Sequence, residues 1–593
     1  MRFIVRFLAV IGLLTILAAV LVGYLVSRIH MGQHRTPLVA ETTVLTLSVE
    51  GPFIEESPTR TGLSSVLTQH GKKLREMIQG LDRAAADVRV KGLVLKVDAS
   101  AGMAQTQELR AAIKRFRLAG KFVYAFADDY GGDGPGNGQY YLASAAEQIW
   151  LQPMGQVMLT DVMFEAPFLG NMFAKIDVDP EFVKRSEYKT APETYTEHAY
   201  SPAAREMMES LANDLTTQLA TDVAASRSMS VDDVRALFAR GPMTSDEAIQ
   251  AKLIDHSGYS DEVVEAAKKA AGVGAKLLSL PDYYTQAVSQ PHGEPNIALI
   301  YEVGEIARVS GSIDPAQDPR NLDTGNAVIQ GFSRAMATPS VKVIVFRVDS
   351  PGGAVSGSES IRRMVVRAKQ AGKKVVVSMG SVAASGGYWV SADADKIVAE
   401  PATLTGSIGV FAGKFVVGKG LADIGITTDR TAAGPFAAMD SPFSAFTPDE
   451  SQKLNTDIQA VYDSFVSIVA NGRNMPQGAV AGSAKGRVWS GQQAKQLGLV
   501  DSLGGLEDAL VVARQLGNFP SDQPSIIRIY PEPMSSLEAA LAVLNGDQDI
   551  KSEIGAALAG VDGPAGTAIR AMAPLFSAPQ GDMVRMPELG PVR

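Results

Sequence analysis

Unbroken apolar runs alternate along this chain with stretches of helical period, and the whole alternation occurs twice. In the C-terminal half, residues 297–303, 343–348, 374–379 and 397–399 are apolar at nearly every position, which predicts strands buried on both faces. Between them, 356–370 and 384–393 predict helices. Strands alternating with helices imply a sheet covered by helices, and so an α/β fold. Each half then runs into a long helix, opened by Ser201-Pro-Ala-Ala-Arg-Glu206 in one and Thr447-Pro-Asp-Glu450 in the other. Ser or Thr supplies the N-cap there, and Pro takes the first helical position.

The two halves align residue by residue. Val44-Leu-Thr-Leu-Ser-Val-Glu-Gly51 answers to Ile297-Ala-Leu-Ile-Tyr-Glu-Val-Gly304, Gly92-Leu-Val-Leu-Lys-Val-Asp98 to Val343-Ile-Val-Phe-Arg-Val-Asp349, and Ala119-Gly-Lys121 to Ala371-Gly-Lys373. These pairs lie 253, 251 and 252 residues apart, and later pairs such as Ile149 and Ile397 or Asp255 and Asp501 drift to 248 and 246. A period this long describes a duplicated domain rather than a solenoid. The expected organisation is a membrane anchor over 1–35, a first domain over 43–275, a second over 296–520 and a low-complexity tail over 531–593. The connector at 272–296 is Pro-rich, and the tail is rich in Ala, Gly, Pro and Met.

The anchor is predicted from residues 7–26, 20 positions without a charge, which as a helix match the thickness of a bilayer core of about 30 Å. A cleaved leader would have a shorter apolar core and a small-x-small site. Arg2 and Arg6 before the span nearly balance Arg28 and Arg35 after it, so charge leaves its orientation tied. A net charge of −9 with scattered basic residues argues against nucleic acid as a partner. The chain has no cysteine, which removes thiol nucleophiles, Cys-ligated zinc and disulfides. No Walker A loop is present either, and no cofactor or metal is expected.

Candidate chemistry sits in the second copy. Ala383-Ala-Ser-Gly-Gly-Tyr-Trp389 follows a strand and opens a helix, a turn that can present Ser385 while Gly386 offers a free N–H to a developing oxyanion. Asp349-Ser-Pro-Gly-Gly353 ends a buried strand, where Gly352 or Gly353 can supply a second donor. The first copy has Asp98-Ala-Ser-Ala-Gly102 at that place and Asn137 opposite Ser385, so it cannot run the same reaction alone. A nucleophilic serine needs a base, yet all six histidines lie at or before His292. His198 of the first copy could serve, and so could Lys189, which survives only in the first copy because Gly434 stands opposite it. Lysine acts as a general base only when neutral, a state that burial between two domains would favour.

Together with Thr403-Leu-Thr-Gly-Ser-Ile-Gly-Val-Phe411 and the Tyr188-Lys189-Thr190 loop, these motifs resemble the long, duplicated form of the bacterial signal peptide peptidase A family, also called protease IV. The resemblance covers nearly everything from the anchor to about residue 520. It implies a crotonase-like or Clp-protease-like fold for each half, and a serine peptidase whose Ser-Lys dyad is Ser385 and Lys189. It further implies that Ser407 orients the lysine, and that Gly386 with Gly352 or Gly353 forms the oxyanion hole. Members of the family are single-pass proteins of the bacterial inner membrane with periplasmic catalytic domains. They form homo-oligomers, commonly tetramers, and degrade cleaved signal peptides and other apolar peptides. The tail has no counterpart in the resemblance. Rival expectations are a crotonase-like enzyme that is not a peptidase, which would not need Ser385, and a non-catalytic membrane scaffold.

Overall fold

In the computed structural model the chain is described over residues 38–55, 72–132, 134, 136–288, 293–309, 324–532 and 583–585. Two sheets dominate it. The first runs in the order His256–Ser257, Gln148–Leu151, Phe122–Ala127, Val90–Val97, Thr43–Val49, Lys276–Ser279, all neighbours parallel. The second repeats that order with Ser502–Leu503, Lys396–Ala399, Lys374–Ala384, Val343–Ser350, Ile297–Val303 and Ile527–Ile529. Strand residues such as Leu93, Leu95, Val345 and Val377 are fully buried. Each such side chain contributes about 1.5–3 kcal/mol by leaving water.

The duplication is written in hydrogen bonds as well as in topology. Tyr140 Oη donates to the Leu253 carbonyl at 2.6 Å, and Tyr388 Oη to the Leu499 carbonyl at 2.8 Å. Asp255 accepts from the Ile149 N–H at 2.8 Å, as Asp501 does from Ile397 at 2.8 Å. The long helices Pro202–Arg227 and Pro448–Gly472 begin where the sequence places them, capped by the side chains of Ser201 and Thr447.

Three details depart from the expected pattern. The strand expected to stop at 379 continues to Ala384, because its last residues pair with Leu404–Gly406, and the helix starts only at Gly386. Lys276–Ser279 and the helix Leu280–Ala287 lie within the expected connector, and Ile527–Ile529 lies past the expected end of the second domain. Strands of three or four residues give too short a period to be read from sequence. The expected anchor lies outside the described residues, among which no helix is long and apolar enough to cross a membrane.

The two copies are joined by a shared sheet. Strand Asp179–Arg185 of the first copy pairs antiparallel with Val410–Val416 of the second along all seven residues. Gly413 permits this approach, since a Cβ there would lie 2.1 Å from the Glu181 carbonyl oxygen. Deeper in the junction Arg347 of the second copy is 1% exposed and bonds Glu55 and Glu108 of the first at 2.5 and 2.6 Å.

Candidate active site

Ser385 stands between strand Lys374–Ala384 and helix Gly386–Ser391 with φ +57° and ψ −115°, a conformation rare outside glycine. Two backbone bonds hold it there. Its N–H donates to the Gly406 carbonyl at 2.8 Å, and its carbonyl accepts from the Trp389 N–H at 2.8 Å. The glycines that follow let the helix start press against the Asp349-Ser-Pro-Gly-Gly353 turn. A Cβ on Gly386 would sit 2.6 Å from Ser358 Oγ and 3.1 Å from the Gly353 nitrogen, and one on Gly387 2.6 Å from the Ser350 carbonyl oxygen. The two glycine pairs singled out in the sequence therefore pack together. In that turn the Gly352 N–H donates to Ser350 Oγ at 3.1 Å.

Lys189 arrives from the first copy, four residues past the strand that crosses into the second. Its Nζ lies 2.6 Å from Ser385 Oγ, 3.1 Å from Ser407 Oγ and 3.1 Å from the Ser407 carbonyl oxygen. Lys189, Ser385 and Ser407 are all fully buried. No hydrogen bond of the amine runs to a carboxylate among the described residues, and burial alone pushes its pKa well below the ordinary lysine value. A neutral amine has two N–H donors and one lone pair. The two contacts to Ser407 can take the donors, which leaves the lone pair for the Ser385 hydroxyl.

His198, the other base considered, is exposed beside Gly170, and no hydrogen bond of Ser385 among the described residues reaches it. In the first copy the place of Ser385 is filled by Asn137, whose Oδ1 accepts the Thr160 N–H at 2.8 Å. Gly434, set opposite Lys189, lies in an exposed loop with nothing within 4 Å of a Cβ built on it.

Sequence reasoning missed the segment that braces both the lysine's own loop and Ser407. Gly486, at φ +81°, lies so close that a Cβ would come within 2.5 Å of the Lys189 nitrogen. On either side of it, the Lys485 carbonyl accepts the Tyr188 N–H at 3.1 Å and the Arg487 carbonyl accepts the Ser407 N–H at 2.7 Å. The Arg487 guanidinium lies 4.8 Å from the Tyr188 ring centroid and is ion-paired with Glu206. A glycine between two cations just before strand Val488–Ser490 was the available signal.

Comparison with known proteins gives the family. The model of peptidase family S49 matches residues 115–274 and again 367–519. Protease 4 of Salmonella typhi is 32% identical over 528 residues, covering 84% of this chain and 83% of that protein. Serine protease SPPA, chloroplastic, of Arabidopsis thaliana is 29% identical and covers 88% of this chain and 75% of its own. Among solved structures, ClpP1 from Listeria monocytogenes matches 36% of this chain and 94% of its own at 14% identity, with a TM-score of 0.22. A likeness that slight decides nothing, and the fold stands on the sheet order above. Two matches to one family model, at the two copies, and relatives aligned over most of their length lead to one conclusion: the chain is a serine peptidase and belongs to peptidase family S49.

Proposed function

We propose that the protein is a membrane-anchored endopeptidase that degrades cleaved signal peptides and other apolar peptides, with a Ser-Lys dyad divided between its two copies. The observation that carries this reading is the 2.6 Å contact between the buried Lys189 amine and Ser385 Oγ. Neutral Lys189 takes the hydroxyl proton as Ser385 Oγ attacks the peptide carbonyl carbon. The oxyanion is held by the Gly386 N–H and by that of Gly352 or Gly353, and each such donor is worth about 3–4 kcal/mol in the transition state. Lys189 then passes the proton to the leaving amine, and the acyl group stays on Ser385 as an ester. Water attacks that ester, giving one proton to Lys189. As the ester C–O bond breaks, Lys189 returns this proton to Ser385 Oγ, so the amine is neutral again and the product leaves as a carboxylic acid that ionises in solvent. Ser407 is a positioning residue in this scheme, fixing the amine through its hydroxyl and carbonyl oxygens.

The uncharged span at 7–26 supports anchoring in the bacterial inner membrane with the catalytic domains on the periplasmic side, where cleaved signal peptides would be within reach. Homo-oligomers, tetramers among them, fit the exposed apolar surface taken up below. The test is hydrolysis of an apolar peptide by the full chain and by its Ser385→Ala variant in detergent. The native chain is expected to cleave it and the variant to fall to background; full turnover by the variant would refute the assignment.

A further inference from the structure

The tail that the sequence left without a role returns to the site. Strand Met583–Arg585 lies between Gly352–Ala354 and Val410–Val416, so the sheet order there is Gly352–Ala354, Met583–Arg585, Val410–Val416, Asp179–Arg185. It runs antiparallel to Gly352–Ala354, with Gly353 opposite Val584, and Met583 is also opposite Phe411.

The slot it fills has two open backbone edges. On one side, Ile306 already engages the far edge of the glycine strand: its N–H donates to the Gly352 carbonyl at 2.8 Å and its carbonyl accepts from Ala354 at 2.8 Å. Backbone groups alternate sides along a strand, so the N–H and C=O of Gly353 face the slot and Val584. On the other side, Val410–Val416 uses one edge for Asp179–Arg185 and turns its second edge to the slot. The slot also passes the reacting groups. The Gly353 nitrogen is 3.1 Å from the point where a Cβ of Gly386 would be, and Val410 follows Ser407 by three residues. A segment that adds here as a strand is recognised by its main chain, as an extended peptide is when it completes an exposed sheet edge.

We propose that the C-terminal strand Met583–Arg585 is a tethered occupant of the peptide-binding groove, lying where an extended substrate lies and competing with it. This rests on the peptidase reading above, from which it takes the groove's ligand to be a peptide. The chain has 50 residues between Glu532 and Met583, numbers 533–582, and a ligand tethered through such a segment competes at an effective concentration on the order of millimolar or below. Weak pairing of the tail therefore suffices to raise the apparent Kd of an incoming peptide.

The test uses the full chain in detergent with Ser385→Ala, so that binding is read without turnover, and a fluorescein-labelled apolar peptide followed by anisotropy. Val584→Pro removes the N–H that faces Gly353, whereas Val584→Ala keeps the backbone intact. Val584→Pro is expected to lower the peptide Kd about fivefold or more, and Val584→Ala to leave it unchanged. A synthetic peptide of residues 580–588 should then compete with the labelled peptide on the proline variant. Equal Kd values with and without Val584→Pro, an equal gain from Val584→Ala, or no binding of the labelled peptide to either variant would overturn the proposal. Failure of the peptidase reading shows separately, as turnover retained in the Ser385→Ala chain.

Discussion

At the scale of single residues, the proposed chemistry depends on keeping one amine uncharged. Among the described residues Lys189 has no carboxylate as a hydrogen-bond partner, and desolvation lowers its pKa well below the usual value. A lysine paired with an acid would be pinned in the protonated form and useless as a base. Gly486 contributes by what it lacks, because any side chain there would displace the Lys189 backbone. The positive φ of Ser385 and of Ser407, +57° and +49°, belongs to the same design. Both hydroxyls sit on turns that sterics alone would not select, held by neighbouring backbone bonds to Gly406 and Arg487.

At the scale of elements, the site exists because a strand of one copy is built into a sheet of the other, and the junction holds a buried charge cluster. Arg347 bonds Glu55, Glu108, Ser378 Oγ and the Met379 carbonyl, and Glu108 also accepts the Leu506 N–H at 3.0 Å. Burial pushes the Glu108 carboxyl above its usual range, and burial with the nearby Glu55 charge pushes Asp349 to about 6. Arg347→Met would leave these acids without their cation, so it is expected to destabilise the folded chain by about 3–5 kcal/mol. Urea unfolding would read this, and an unchanged midpoint would show the cluster to be dispensable. The elements themselves were largely legible, since continuous apolar strands and Ser/Thr-Pro helix starts carry strong local signals. The approach of Lys189 to Ser385, at 2.6 Å, was legible in part: the complementary losses at Asn137 and Gly434 pointed across the copies but left His198 open, and the family resemblance singled out the lysine. The strand that delivers Lys189 was not. Asp179-Pro-Glu-Phe-Val-Lys-Arg185 has only two consecutive large apolar residues, and its partner lies more than 200 positions away, so pairing rather than pattern makes it a strand. Arg347 escaped notice for the same reason: its carboxylate partners are distant in sequence.

At the scale of the whole molecule, the internal repeat bears on assembly. Aligning Arg185 with Arg430 makes 424–430 the second copy's equivalent of the strand Asp179–Arg185. The spacing of 248 between Tyr140 and Tyr388 makes 162–168 the first copy's equivalent of Val410–Val416. Within one chain 424–430 is exposed throughout, and 162–168 belongs to no strand among the described residues. Ile424 is 72% and Ile426 49% exposed, with Ile176 and Phe443 nearby at 48% and 46%. A second chain repeating the internal contact head to tail would cover this surface. Ile424→Asp combined with Ile426→Asp is therefore expected to reduce the particle mass in light scattering towards that of a single chain, and an unchanged mass would exclude this contact. The central claim remains that an uncharged amine from one copy activates a hydroxyl from the other. It is tested most directly by the pH dependence of kcat/KM for an apolar peptide, measured with the native chain and with Lys189→Ala. Because the base works only when deprotonated, activity should rise with pH through the lowered Lys189 pKa and reach its plateau well below the ordinary lysine value of about 10.4, while Lys189→Ala stays at background throughout. A limb at the ordinary lysine value, or a Lys189→Ala chain as active as the native one, would contradict it.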